Sequence, residues 1–297
     1  MLHKLLIRAM PLVPNPIMLR FAGRYIAGET QEEALAKLSE MAERGFPGIF
    51  DILGEGSGNV DHARAAAESY KQGASAIAQN GLDAYISIKP SHVGLLEDEA
   101  LALELYSSVL EHCRDLGVLL RVEMEDHPTT DATLRIFESL RESFDAVGIV
   151  LQSRLFRTTQ DIANLAPGLV DVRIVKGIYL EPAEIAHTNH TAISDAFVQN
   201  CRDLLERGDV MLRLATHDRL LGERLIALMR EFDVPKDRYE FQVLLGVQEP
   251  LWMEWQAAGH PVRVYVPFGP EWRAYSQRRL RKNPDLFKAV LRDMLPV

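Results

Sequence analysis

Near the C-terminus, the stretch YVPFGPEWRAYSQRRLRKNP (265–284) sets Arg278 and Arg279 side by side, with Tyr275 three residues before the first and four before the second. Residues three and four apart share one face of a helix. The stretch reads as a helix that stops before Pro284. One edge of it then carries a phenol and two guanidiniums, with Lys282 four residues beyond Arg278. Guanidinium forks match a carboxylate through two parallel hydrogen bonds. Folded over a concave site, that edge would bind a carboxylate. Turned outward, it is a solvated basic face, and spacing alone leaves both readings open.

Polar residues also recur at the ends of short apolar runs. Lys89 ends AYISIKP (84–90), and Glu123 and Glu125 end LLRVEME (119–125). Gln152 ends VGIVLQS (147–153), Lys176 ends VDVRIVKG (170–177), and Thr216 and His217 end VMLRLATH (210–217). Gln242 stands in YEFQVLLG (239–246) and Tyr265 in RVYVPFG (263–269), while Arg121 and Arg173 lie inside the third and fifth runs. A buried polar group without a partner costs about 1–3 kcal/mol, and a single one is as well explained by a structural hydrogen bond. Polar residues closing seven of eight runs read instead as the wall of one large polar ligand's site.

Lys89 and Lys176 admit a second chemistry. A buried lysine of depressed pKa forms Schiff bases, and such lyases also use strand-end carboxylates. HTNH (187–190) has two histidines three apart and no third ligand, so it reads as a solvated helix start rather than a metal site. His217, following Thr216 at a run's end, reads as a hydrogen-bonding ligand contact. No nucleophile elbow, Walker loop or zinc signature is present.

The elements that must position these residues alternate regularly. Eight runs rich in Val, Ile and Leu, beginning with GIFDIL (48–53), suit buried parallel strands. Helical patterns separate them, among them DEALALELYSSVLEHCRDLG (98–117) and DRLLGERLIALMREFD (218–233). Eight strand–helix units with short connections predict an α/β fold, a (β/α)8 TIM barrel. In such barrels chemistry sits at the C-terminal ends of the strands, where the polar residues fall. The competitor is an open doubly wound sheet, whose glycine fingerprint should follow the first strand. GEGSGN (54–59) has Asn59 at the third glycine position, so the match fails and a flexible turn is expected. A preceding helix, QEEALAKLSEMAERG (31–45), caps the start. The expected division is an N-terminal helical segment, 1–46, packed on a barrel of 47–297.

The chain has 297 residues, 47% of them hydrophobic, and a net charge of −9, which disfavours a general nucleic-acid surface. Cys113 and Cys201 fall in no ligand-like spacing; a reducing, cytoplasmic setting fits, with both as semi-buried helix residues. The N-terminal stretch has Lys4, Arg8, Arg20 and Arg24 and no acid before Glu29. Charges and prolines break its apolar runs, so it cannot span a bilayer. It reads either as a basic amphipathic arm at a membrane surface or as a helix packed on the domain.

Taken in order and spacing, several stretches resemble the catalytic domain of the proline dehydrogenase family. They are DILGE (51–55), SIKPSHVG (87–94), RVEMED (121–126), GIVLQSRLFRT (148–158), RIVKGIY (173–179), ATHD (215–218), YEFQVLLGV (239–247) and YVPFG…YSQRRL (265–280). The resemblance runs from RYIAGET (24–30) onward. It implies a distorted (β/α)8 barrel whose last helix sits over the barrel mouth, binding FAD without a Rossmann domain. It implies oxidation of L-proline to Δ1-pyrroline-5-carboxylate, with hydride passing from proline C5 to flavin N5 and electrons passing to a membrane quinone. Peripheral contact with the inner face of the membrane and coupling to a pyrroline-carboxylate dehydrogenase follow from the same resemblance.

By resemblance, Arg278 and Arg279 hold the substrate carboxylate, and Lys89 and Tyr265 complete the catalytic set. Glu123, Tyr179, Leu244, Tyr265 and Tyr275 shape the substrate pocket. Glu123, Met124, Gln152, Arg173, Val175, Lys176, Gly177, Ile178, Thr216, His217 and Gln242 contact FAD. A cationic Lys89 would disfavour a protonated substrate amine. The chain departs from the family pattern at Glu123 (usually Asp), Arg154 (Tyr), Ile178 (Ala), Leu245 (aromatic or His), Ser276 (Leu) and Lys282 (Glu). Ile178 is expected to narrow the pocket near Tyr179. These departures keep open a related cyclic amino acid, such as hydroxyproline, as substrate, and a non-catalytic binding module.

Overall fold

The structure is a computed structural model that describes residues 23–273, 275 and 276. Arg278, Arg279, Lys282 and the greater part of the expected last helix lie outside the described residues. Eight parallel strands close into a barrel in sequence order: β1 (Gly48–Ile52), β2 (Ala84–Ile88), β3 (Leu120–Val122), β4 (Val147–Gln152), β5 (Val170–Val175), β6 (Val210–Ala215), β7 (Tyr239–Leu244) and β8 (Val262–Phe268). The seam is a parallel β8–β1 ladder, with Gly48 opposite Val264 and Ile52 opposite Phe268. That closure rules out the open doubly wound sheet.

Among the described residues, α1 (Gln31–Glu43) precedes β1. The crossovers are α2 (Val60–Gln79), α3 (Glu99–Asp115), α4 (Thr130–Arg141), α5 (Thr158–Asn164), α6 (His190–Arg207), α7 (Arg219–Glu231) and α8 (Glu249–Ala257). Side-chain caps fix the starts of α1, α2, α3, α6 and α7. Thr30 and Glu33 form a reciprocal capping box at α1, with Glu33 Oε2 accepting from Thr30 N at 3.0 Å. Asp98 Oδ1 accepts from Ala100 N at 2.6 Å, so α3 begins one residue later than the pattern 98–117 suggests. Asn59, which spoils the glycine fingerprint, caps α2 by accepting from His62 N at 2.9 Å. The GEGSGN turn before it is tied down: Gly56 N donates to Ser91 Oγ (3.0 Å) and Ser57 Oγ to Glu97 (2.7 Å).

The core lies between strands and helices. Phe50, Ile86, Ile88, Leu120, Val122, Ile149, Leu151, Val172, Ile174, Leu212, Leu214, Phe241, Val264 and Val266 are buried there. Cys113 and Cys201 are fully buried in α3 and α6, deeper than expected. Burial pushes the Cys113 thiol up to about 12, which makes it a packing residue. α1 packs against β1 and β8 through a stripe that buries Ala34, Leu38 and Met41. The chain leading into it bonds to the far end of β8, with Ala27 N donating to Pro267 O (2.9 Å) and Gly269 N to Gly28 O (3.0 Å). α1 therefore covers the β8–β1 seam, where a regular repeat would place the helix following β8. Among the described residues no helix is long and apolar enough to cross a membrane.

Candidate active site

The apolar runs conceal a second periodicity. VDVRIV, YEFQVL and VRVYVPF each carry two polar residues at alternate positions (Asp171 and Arg173, Glu240 and Gln242, Arg263 and Tyr265), and in a strand such residues share one face. Hydrogen bonds between strands that are not neighbours show which face it is. Gln242 on β7 donates to the Tyr85 hydroxyl on β2 (2.6 Å), and Arg173 on β5 donates to the same oxygen (3.1 Å). Such bonds can only cross the bore, so the barrel interior is polar and ion-paired.

At the level nearer the N-terminal ends, charges alternate around the wall. Arg121 pairs with Asp171 (2.6 Å), which also takes Arg213 (2.7 Å). Arg213 and Arg263 both bond Glu240 at 2.9 Å. Arg121 reaches Asp171 across the intervening β4 because Gly148 lies in its path. A Cβ at Gly148 would fall 2.2 Å from Arg121 Nη1 and 3.0 Å from Asp171 O.

One layer higher, toward the mouth, Arg173 Nε donates to Gln242 Oε1 (2.6 Å) and its Nη1 to Glu123. Glu123 also accepts from Ser87 Oγ and from the Tyr265 hydroxyl (3.2 Å). Above these, Lys89 Nζ pairs with Asp51 at 2.9 Å, their side chains 14% and 2% exposed. Burial opposes charge on Lys89, but Asp51 and Glu123, with Glu125 behind them, outweigh it and raise the lysine's pKa. The Asp51 carboxyl is pushed up by burial, with the Lys89 ammonium opposing. Three carboxylates, Asp51, Glu123 and Glu125, act on one amine, so Lys89 is an ammonium. A Schiff-base lysine needs the opposite, a depressed pKa, and Lys89 does not have it.

Burial also works against charge on Glu123, and Arg173 and Lys89 reverse it, so this carboxylate titrates below its ordinary range. The Tyr265 phenol is pushed well up by burial and then by the charges of Asp51 and Glu123, which keeps it a neutral donor. Glu125 is pushed up by burial, partly offset by bonds from Ser91 N and Oγ at 2.7 Å each. β3 ends at Val122, and Glu123 N still donates to Ile88 O of β2 (2.9 Å) before Met124 and Glu125 leave the sheet.

The other sequence-designated residues stand around the same rim. Met124 is buried, and Gln152 at the end of β4 donates to Glu125 O (2.8 Å). Val175 ends β5, followed by Lys176, which pairs with Asp218 at 2.7 Å. Thr216 and His217 follow β6; Thr216 Oγ1 accepts from Asp218 N (3.1 Å) and His217 Nε2 from Leu244 N (3.2 Å). Tyr179 is half-buried, its phenol pushed up by burial and then by Glu125, Glu55 and Glu123. Ile178 is 62% exposed. Tyr275 is near enough to Tyr265 to bear on its ionisation. Leu245 and Ser276 are buried.

Asp51, Tyr85, Ser87 and Glu240 had no assigned role in the sequence, yet each holds a mouth residue or its support. Their signal was a polar residue at an alternate position within an otherwise apolar strand. Among the described residues no group of three or more His, Cys, Asp or Glu stands together as a metal cluster.

The rim from β4 to β7 carries cationic and neutral polar groups that could hold an anionic cofactor. Gly177 has φ +91°, a conformation that favours glycine, and a Cβ there would lie 2.8 Å from Gln152 Oε1. Lys176 and Arg173 supply cationic donors, and Thr216, His217 and Gln242 supply neutral polar groups.

The proline dehydrogenase family model matches residues 34–288. The chain is 32% identical over 283 residues to the proline dehydrogenase of Deinococcus radiodurans, covering 94% of this chain and 91% of that one. It is 31% identical over 274 residues to proline dehydrogenase 1 of Bacillus subtilis subsp. natto, covering 92% and 90%. Among solved structures, proline utilization A from Bdellovibrio bacteriovorus, inactivated by N-propargylglycine, superposes with a TM-score of 0.83 at 22% identity over 88% of this chain. The chain spans about a third of that protein's length, 32%. The family match and the two relatives, nearly end to end, agree with the barrel and its ion-paired mouth: the chain belongs to the proline dehydrogenase family.

Proposed function

We propose that this chain oxidises L-proline to Δ1-pyrroline-5-carboxylate, with FAD as its resident cofactor and a membrane quinone as the final acceptor. The observation that carries the reading is the Lys89 ammonium held at the mouth by Asp51, beside Glu123, Arg173 and Tyr265, in a chain of this family. Bound FAD supplies the two-electron acceptor that no side chain provides. Lys89 disfavours a second positive charge beside it, so the substrate amine loses its proton and its lone pair can assist hydride departure from C5. The Glu123–Arg173 pair and the Tyr265 phenol fix the wall against which the ring packs. Arg278 and Arg279, with Tyr275 one turn before, anchor the carboxylate and so orient C5. The enzyme docks peripherally on the membrane to pass on its electrons, and the product goes to a pyrroline-carboxylate dehydrogenase.

The test is anaerobic flavin reduction. Purified protein is expected to be yellow or to load with FAD, and L-proline to bleach it faster than D-proline, hydroxyproline or pipecolate. Protein that takes up no FAD, or flavin that no cyclic amino acid bleaches, would overturn the reading. A hydroxyproline preference would move the substrate and keep the chemistry.

A further inference from the structure

The loop between β5 and α6 presents its residues alternately: Ile178 is 62% and Leu180 is 91% exposed, while Tyr179 between them is half-buried, near Glu125, Glu55 and Glu123 at the mouth. Two neighbouring loops hold it there. From the loop after β4, the Arg154 guanidinium donates to the backbone carbonyl of Tyr179 itself. From the loop after β3, His127 clasps Glu181, with His127 N at 3.0 Å and Nδ1 at 2.7 Å from its carboxylate, which is 2% exposed. The far end of the loop is stitched to the β4 loop as well. His187 N donates to Arg154 O (2.8 Å) and Phe156 N to Ile185 O (3.0 Å), flanking an antiparallel bridge between Leu155 and Ala186. The Phe156 and His187 rings meet edge to face at 4.7 Å.

Three consecutive βα loops thus form one wall, and Tyr179 is gripped at its own carbonyl and two residues on. A connection of this length would ordinarily move independently of the barrel. Five ties to two neighbours remove that freedom, and a wall fixed before binding recognises ring size and substituents more sharply than a loop that must be ordered.

We propose that Arg154 and the His127–Glu181 pair are positioning residues that fix Tyr179 as a rigid wall of the substrate pocket, and that this wall sets discrimination among cyclic amino acids. The inference rests on the reaction proposed above.

The experiment compares FAD-loaded wild type with Arg154→Ala, Arg154→Lys and Glu181→Gln, by anaerobic flavin reduction with L-proline and trans-4-hydroxy-L-proline. The flavin absorbance spectrum is expected to stay that of wild type. The proline concentration for half-maximal rate should rise on the order of tenfold in Arg154→Ala and Glu181→Gln, with a smaller change in the saturated rate. The preference for proline over hydroxyproline should shrink in both, and Arg154→Lys, which keeps a cationic donor, should recover part of each. Amide hydrogen exchange reports on the wall without any turnover, and residues 177–187 should exchange faster on the order of tenfold in both disrupting variants.

Unchanged half-saturation and unchanged discrimination in both disrupting variants would overturn the inference. So would loss of flavin or fold in Arg154→Ala while Glu181→Gln behaves as wild type. If wild type itself reduces no flavin with any cyclic amino acid, the proposed reaction fails, and the exchange data alone decide whether the wall is held as described.

Discussion

Removing the charge of Asp51 while keeping its shape isolates the feature on which the mouth depends. In Asp51→Asn the side-chain oxygen can still accept from Lys89, but the carboxylate charge is gone. At 2.9 Å the pair's attraction is gross about 6 kcal/mol for an effective dielectric of about 20. Removing one partner of a buried pair costs about 3–5 kcal/mol, because the other charge stays buried. The retained hydrogen bond and the remaining carboxylates, Glu123 and Glu125, soften that, so a loss of about 2–4 kcal/mol is expected. Burial, the main influence opposing charge on Lys89, then acts against a weaker field, and its pKa falls. Urea unfolding followed by circular dichroism measures the first effect, and the rate of reductive methylation of Lys89 against pH measures the second. Lys89→Met alone should also destabilise, since it leaves Asp51 buried without its cation. The double variant, Asp51→Asn with Lys89→Met, should be more stable than the sum of the single losses predicts, by about 2 kcal/mol. Additive losses, with no change in Lys89 reactivity, would refute the argument that each residue holds the other's charge.

Three further outcomes follow from the same geometry. Gly148→Ala would drive a methyl group into Arg121 Nη1 and the Asp171 carbonyl, and is expected to cost about 2–3 kcal/mol, read as a fall in the urea midpoint at unchanged slope. Burial, aided by Lys89, lowers the His92 pKa to about 4 from 6.5. The unfolded chain therefore binds a proton between those values that the folded chain does not, so stability falls as pH drops from 6.5 toward 4, by up to about 3 kcal/mol. His92→Asn should flatten that part of the stability profile, and an unchanged profile would exclude His92 as its source. Finally, Arg279→Ala should weaken proline recognition by about 2–5 kcal/mol, seen as a KM raised about thirtyfold or more; an unchanged KM would remove Arg279 from the carboxylate anchor.

The barrel was legible because eight apolar runs of similar length alternate with amphipathic stretches, and little else satisfies that pattern. The rim was legible for the same reason: a polar residue closing a buried strand is conspicuous. The bore was harder to see. Asp51 in GIFDIL looks like an isolated exception in an apolar run, and Ser87 in AYISIKP and Glu240 in YEFQVL look like minor interruptions of theirs. Only the cross-bore bonds, Tyr85 with Gln242 and Arg173, and Arg121 with Asp171, reveal that these exceptions share one face. Pairing across a closed barrel depends on register and strand tilt, which no local pattern encodes. The loop ties of Arg154 and His127 were invisible because they join segments by side-chain reach rather than by spacing.

The seating of α1 has a consequence for how the chain is made. Its buried stripe needs both β1 and β8, the first and last strands to be synthesised. While the chain leaves the ribosome, Leu38 and Met41 have only β1 to cover them until the final strand arrives. The seam cannot close before then, so β1 also waits with an open edge through seven strand–helix units. A nascent chain stalled before β8 should therefore bind chaperones through its own first helix, and release of Val262–Phe268 should be the event that ends that binding. Closure is a late, single step, and α1 is the element that registers it.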